Sequence, residues 1–207
     1  MRKPWVKDAP QKNARKPIFG VGVFDGDKSC YSEEITESYF CWVGMLRRCY
    51  DFKYHKKKPT YTNCYVCDEW IYFSNFNRWF VENHIKGYQL DKDILVKGNK
   101  MYSPDTCCFV PQEINTLLLN DKGKRGNGKK ELPTGITKSK YSYIVRCNKN
   151  GHSIYVGSFK EKGDAFQAYK QVKENHIKQV AQQYFDDGKI TEKVYNALMN
   201  YHIEITD

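Results

Sequence analysis

The chain has 207 residues, with 34 Lys+Arg against 24 Asp+Glu and a net charge of +10. That length suits one or two domains, and 15% aromatic residues supply enough apolar bulk to close compact cores, which excludes a disordered chain. A mean hydropathy of -0.75, with no long apolar run, excludes a membrane span.

The first residues, MRKPWVKDAPQKNARKPIF, are basic and lack the apolar stretch of a secretory signal, so a cytoplasmic location is expected. In that setting the eight cysteines read as thiols or metal ligands rather than disulfides. The charge is uneven along the chain. Residues 1–17 hold six Lys/Arg and one Asp, and residues 121–150 hold nine Lys/Arg against Asp121 and Glu131. Clustered cations release condensed counterions when they meet phosphates, which makes them the usual footprint of a nucleic-acid binder; a merely solubilising surface is the plainer alternative.

In chain order, residues 1–20 read as a flexible basic arm punctuated by Pro4, Pro10 and Pro17. Tyr39, Trp42, Val43, Leu46 and Tyr50 recur at three- and four-residue spacing and predict an amphipathic helix over 35–52. The polar segment that follows, with Lys53, Lys56, Lys57, Lys58 and Pro59, predicts a loop. Trp70, Phe73, Phe76, Trp79 and Phe80 form a second helical stripe that belongs in a core. A short strand is expected to end within 91–95. A turn follows, then a second strand at 107–110, and a helix starting at Pro111, where a missing N–H costs nothing. The Gly- and Lys-rich run at 121–131 predicts a basic linker and a boundary between a domain at 21–120 and one at 132–207.

Beyond it, Tyr141, Tyr143, Val145 and Cys147 alternate with Ser142, Ile144 and Arg146, and Asn150-Gly151 separates two such runs, predicting a hairpin over 141–159. Ala165, Phe166, Tyr169, Val172, Ile177, Val180, Ala181 and Tyr184 then mark a helix able to cover that sheet. A last helix at about 191–201 takes Thr191 as its N-cap. The expected fold class is α+β.

The run from Gly151 through Tyr155, Gly157, Phe159, Ala165, Ala168 and Tyr169, with Gly135-Ile136 and Tyr141 ahead of it, resembles the APETALA-type (ethylene-response-factor) DNA-binding domain. The resemblance covers about 131–180. It implies a sheet that lies in the major groove of double-stranded DNA, with Lys138, Lys140, Ser142, Arg146, His152 and Ser153 at contact positions; Lys124 and Arg125 of the linker join them as candidates on charge alone. In such a set an arginine reads guanine while lysines hold phosphates.

The stretch 39–116, carried by Trp42, Met45, Arg48-Cys49-Tyr50, Val66 to Trp70 and the run from Leu90 to Asn115, resembles phage-type HNH (His-Me finger) homing endonucleases. That resemblance implies a ββα finger and metal-dependent DNA cleavage. Lys92 stands where the family has its histidine, flanked by Asp91 and Asp93, and Thr106 stands where many relatives have asparagine. The resemblance thus implies Asp91 and Lys92 as catalytic positions. It implies Mg²⁺ or Mn²⁺ held by Asp91, Asp93 and Asn115, with Glu113 as a further candidate ligand. Lys92 is an awkward base, because an ammonium has no lone pair to accept a proton from water; holding a phosphate suits it better. A surface turn with an internal ion pair is the plainer reading of these three residues. His84, upstream, reads as structural.

Zinc is not expected. Cys64 and Cys67 have ligand spacing, but the adjacent Cys107-Cys108 does not, and reduced cysteines pack as small hydrophobes. Two functions therefore stand side by side: a metal-dependent endonuclease, or an HNH-like DNA-binding protein without cleavage that acts as a regulator or as an inhibitor of a host enzyme. RNA binding draws on charge alone.

Overall fold

The computed structural model describes residues 16–26, 33–118 and 132–206. The fold is α+β, and the chain divides into two compact units. The first comprises the residues up to 84 together with 98–107, and the second 85–97 together with 108 onward.

The first unit is built on aromatic packing. Helix α1 (Glu33–Tyr50) and helix α3 (Phe73–Asn83) bury Trp42, Met45, Leu46 and Cys49 from one and Phe73, Phe76 and Phe80 from the other. Trp42 is fully buried because its indole Nε1–H donates to the Trp70 carbonyl at 2.7 Å, so its one polar group is satisfied. Trp70 meets Phe76 edge-on at 5.1 Å, and burying a side chain of this size contributes about 2–3 kcal/mol. The expected core stripes are in place.

The segment expected as a loop after α1 holds helix α2 (Phe52–Lys57) and a 3-10 turn at Pro59–Tyr61. Asp51 explains the difference, since its carboxylate accepts from the Lys53 N–H at 2.8 Å and so starts a new helix where α1 stops. Two-residue strands β1 (Tyr65–Val66) and β3 (Met101–Tyr102) pair in parallel, too short to leave a pattern in the sequence. Of the expected basic arm, residues 1–15 lie outside the described residues; Ile18 pairs with Gly22, and Val23 with Tyr72.

In the second unit, β2 (Gln89–Asp91) runs antiparallel to β4 (Cys108–Val110), with Asp91 opposite Cys108, and Pro111 leads into α4 (Gln112–Leu117). The first of these strands ends at Asp91, at the start of the expected range. Asp91 Oδ1 accepts from the backbone N–H of Asp93 at 2.6 Å and of Ile94 at 2.8 Å, which pulls the chain out of the ladder into a turn.

A three-stranded antiparallel sheet follows, β5 (Ile136–Lys138), β6 (Tyr143–Lys149) and β7 (His152–Phe159), in the order β5-β6-β7. Asn150 and Gly151, both at positive φ, close the hairpin. Helix α5 (Lys162–Asp186) covers one face of the sheet, and α6 (Glu192–Met199) starts at Thr191, whose hydroxyl accepts from the Val194 N–H at 3.4 Å. Ile94, Val110 and Ile114 share a single core with Ile136, Val145, Phe166, Ile177 and Leu198. The basic linker expected at 121–131 lies outside the described residues, and the segments on both sides of it belong to this unit.

The inward face of α5 carries two polar residues that the apolar stripe does not announce, Lys173 and His176. Lys173 Nζ donates to the Leu117 carbonyl at 2.8 Å, at the end of α4. Burial, with the Lys173 and Lys149 ammonium groups, holds His176 below its ordinary value of 6.5. The unfolded chain therefore takes up this proton first, so acid should destabilise the unit as pH falls through 6.5 towards the depressed folded value. His176→Gln is expected to flatten the unfolding free energy between ~pH 7 and ~pH 5, measured by denaturant titration. An identical slope in wild type and variant would remove His176 from the account.

Candidate nucleic-acid interface

Residues 132–160 carry Lys138, Lys140, Arg146, Lys149 and Lys160 and no Asp or Glu. Strand register decides which of them share a face. Val145 and Cys147 are buried on the α5 side, so their neighbours Ile144, Arg146 and Asn148 point the other way. Opposite them on β7 stand Ser158, Tyr155 and Ser153, and opposite Ile144 on β5 stands Thr137. The outward face is therefore Thr137–Ile144–Ser158, Arg146–Tyr155 and Asn148–Ser153 in three successive rows. Ser142 borders it, with its hydroxyl accepting from that of Ser158 at 2.8 Å.

Two expected contact residues fall elsewhere. Lys138 aligns with Tyr143 and Phe159, and His152 aligns with Lys149, so both belong to the rows of the α5-facing side and reach solvent at the ends of the sheet. Lys149, in the same row as His152, is close enough to His176 to lower its proton affinity, which fits that placement. Lys140 lies over the ring of Tyr141, 5.0 Å from its centroid, and Tyr141 is 80% exposed. Lys124 and Arg125 lie outside the described residues.

The structure adds Tyr155, which is 59% exposed and sits directly across from Arg146. Strict alternation would group Tyr155 with Gly157 and Phe159. A β-bulge prevents this: Val145 pairs with Gly157 while Arg146 pairs with Tyr155, so Val156 is the extra residue and the strand changes phase between its two aromatic residues. Phe159 packs inward and Tyr155 outward. A face with one guanidinium, one phenol ring, and amide and hydroxyl groups from Asn148, Thr137 and the serines can hold phosphates and touch base edges, and Arg146 makes no ion pair among the described residues.

The charged side chains of residues 91–93 are held by one another and by the backbone of their own turn. Lys92 is only 5% exposed, and its ammonium is bound to the Asp93 carboxylate. Asp91 spends Oδ1 on the two backbone N–H groups of its turn, and burial raises its pKa above the ordinary carboxylate value in spite of them. Opposite it, burial and then the Asp91 charge push the Cys108 thiol up to about 12, so it is no nucleophile at neutral pH. The Asn115 amide donates to Gln89 Oε1 at 2.7 Å. The place beside Asp93 where a divalent cation would sit is taken by an ammonium, and among the described residues no three His, Cys, Asp or Glu side chains gather to hold a metal. This donor set does not suit Mg²⁺ or Mn²⁺.

In the first unit, His84 stacks on Phe80 at 4.2 Å, with Nε2 3.5 Å from Glu37. Thr106 donates to the Met101 carbonyl at 2.9 Å and closes a turn. The cysteines among the described residues form no disulfide, Cys64 and Cys107 being buried and Cys67 and Cys108 partly so. No helix among the described residues is long and apolar enough to cross a membrane. No family profile, curated protein or solved structure matches the chain.

Proposed function

We propose that this protein binds double-stranded DNA through the outward face of the sheet β5-β6-β7, and that it does so without cutting it. The observation that carries the reading is Arg146 paired across the strands with Tyr155 on a sheet whose segment, residues 132–160, contains five basic residues and no acidic one. Arginine is the side chain best shaped to contact guanine in two places, and the flanking lysines suit the phosphates. The Lys92 ammonium, buried and bound to the exposed Asp93 carboxylate, supports a finger without chemistry, since it is already held where a phosphate would need it.

Metal-dependent cleavage is the competing reading. It rests on Asp91 at the end of a strand whose antiparallel partner leads into the helix bearing Asn115.

One experiment separates the two. Labelled duplex DNA is titrated with protein over a salt series, then incubated with Mg²⁺ or Mn²⁺. Tight, salt-sensitive binding with intact strands is expected. Nicking by the wild type that Asp91→Asn abolishes would establish the nuclease instead; asparagine is chosen because its carbonyl oxygen still accepts the two N–H groups of the turn. Absence of salt-sensitive binding would remove both readings.

A further inference from the structure

We infer that the surface formed by α2 and the residues after it is a separate binding site for single-stranded DNA. It lies in the first unit, and the inference goes beyond duplex binding by the sheet.

Residues 52–63 contain Lys53, Lys56, Lys57 and Lys58 and no acidic residue. None of the residues of α2 is buried. A six-residue helix is marginal on its own account, and this one is held by the Asp51 cap at its start and the Pro59 turn at its end rather than by an apolar face. Packing therefore gives no reason for an aromatic residue here, yet Phe52 opens the helix at 69% exposure. The Lys56 ammonium sits 4.7 Å from the Phe52 ring centroid, and the Arg47 guanidinium 5.3 Å from that of Tyr54, whose ring is 5.8 Å from Tyr61. Tyr65, 50% exposed, follows in β1 beside the backbone of Lys100, and the Tyr50 hydroxyl, accepting from the Val66 N–H at 3.1 Å, ties this strand to the end of α1.

The result is a patch in which Phe52 and Tyr65 stand in solvent and Tyr54 and Tyr61 are half-buried, with Lys56 against Phe52, and with Arg47, which also pairs with Asp51 at 3.4 Å, against Tyr54. Base faces stack on rings, and phosphates pair with the ammonium groups at each step of the strand. In a duplex those base faces are already covered by their neighbours, so the exposed rings have nothing to gain there. A membrane surface would ask for a contiguous apolar wedge, and Phe52 is the one fully apolar side chain of FKYHKK.

The test is fluorescence anisotropy with a labelled oligo(dT) of about 20 nucleotides, compared with a duplex of the same length. Phe52→Ala should weaken oligo(dT) binding about tenfold and duplex binding less than about twofold, since one stacked base is lost in the first case and none in the second. Lys56→Ala combined with Lys57→Ala should flatten the salt dependence for oligo(dT). Arg146→Ala, on the sheet, should show the reverse preference, so failure of the duplex reading and failure of this one are separable. Phe52 is solvent-exposed, so an unchanged far-UV spectrum is expected for its variant. Unchanged oligo(dT) affinity in Phe52→Ala, equal losses on both DNAs, or binding to anionic vesicles that the same substitution removes would each overturn the inference.

Discussion

Gly135→Ala is expected to destabilise the second unit by about 3 kcal/mol and to abolish duplex binding near its lowered melting temperature. Gly135 has φ +79, a region that costs an L-residue roughly 1–2 kcal/mol. A Cβ there would also overlap the Tyr169 ring and come within 2.6 Å of the Arg146 carbonyl oxygen. Neither neighbour has room to move. Tyr169 is buried on α5 beneath the sheet, and the Arg146 N–H already donates to the Gly135 carbonyl at 2.8 Å. Overpacking of this kind adds about 1–3 kcal/mol. Gly151→Ala is the internal control: its φ is +82, but nothing lies within 4 Å of the new carbon, so strain alone should appear. Thermal unfolding followed by circular dichroism should place the Gly135 variant about 10–20 °C below wild type. If the two alanine variants melt together, the close approach of Gly135 to α5 has been misjudged.

The second large effect concerns recognition. Arg146→Ala should weaken binding to a preferred duplex by about 1–3 kcal/mol and relax preference at one base pair, as expected for a side chain that reads a base edge. Lys138→Ala should weaken every duplex alike and lower the salt slope by about 1, as expected for a phosphate contact at the end of the sheet. Tyr155→Ala should act with Arg146→Ala less than additively, because the two side chains face each other across the strands. Titration of each variant against two or three duplex sequences at several salt concentrations distinguishes these outcomes. A larger loss from Lys138→Ala than from Arg146→Ala would mean that the outward face is not the reading surface.

The placement of these residues divides what was legible in the amino-acid sequence from what was not. Alternation around Val145 and Cys147 is enough to set Arg146 and Ser142 on the opposite face, and Asn150-Gly151 marks the turn. The inward stripe of α5 and the Thr191 cap were equally plain. All of these are local patterns, set by the period of a helix or strand and by side chains that bond to their own backbone within a few residues.

The remainder depended on partners far along the chain. The bulge at Val156 separates Tyr155 from Phe159 only because β6 fixes the register. β1 and β3 are two residues each, and exist because Tyr65 and Met101, 36 positions apart, meet. Ile94, Val110 and Ile114 belong to the core of the C-terminal sheet although a lysine-rich stretch lies between them and it. Lys92 looked exposed between two acids, yet the fold buries it against one of them. Short-range chemistry thus settled which segments are helix or strand and which side chains alternate. Long-range packing decided register, burial and domain membership, because those are properties of contacts between segments that the order of residues does not bring together.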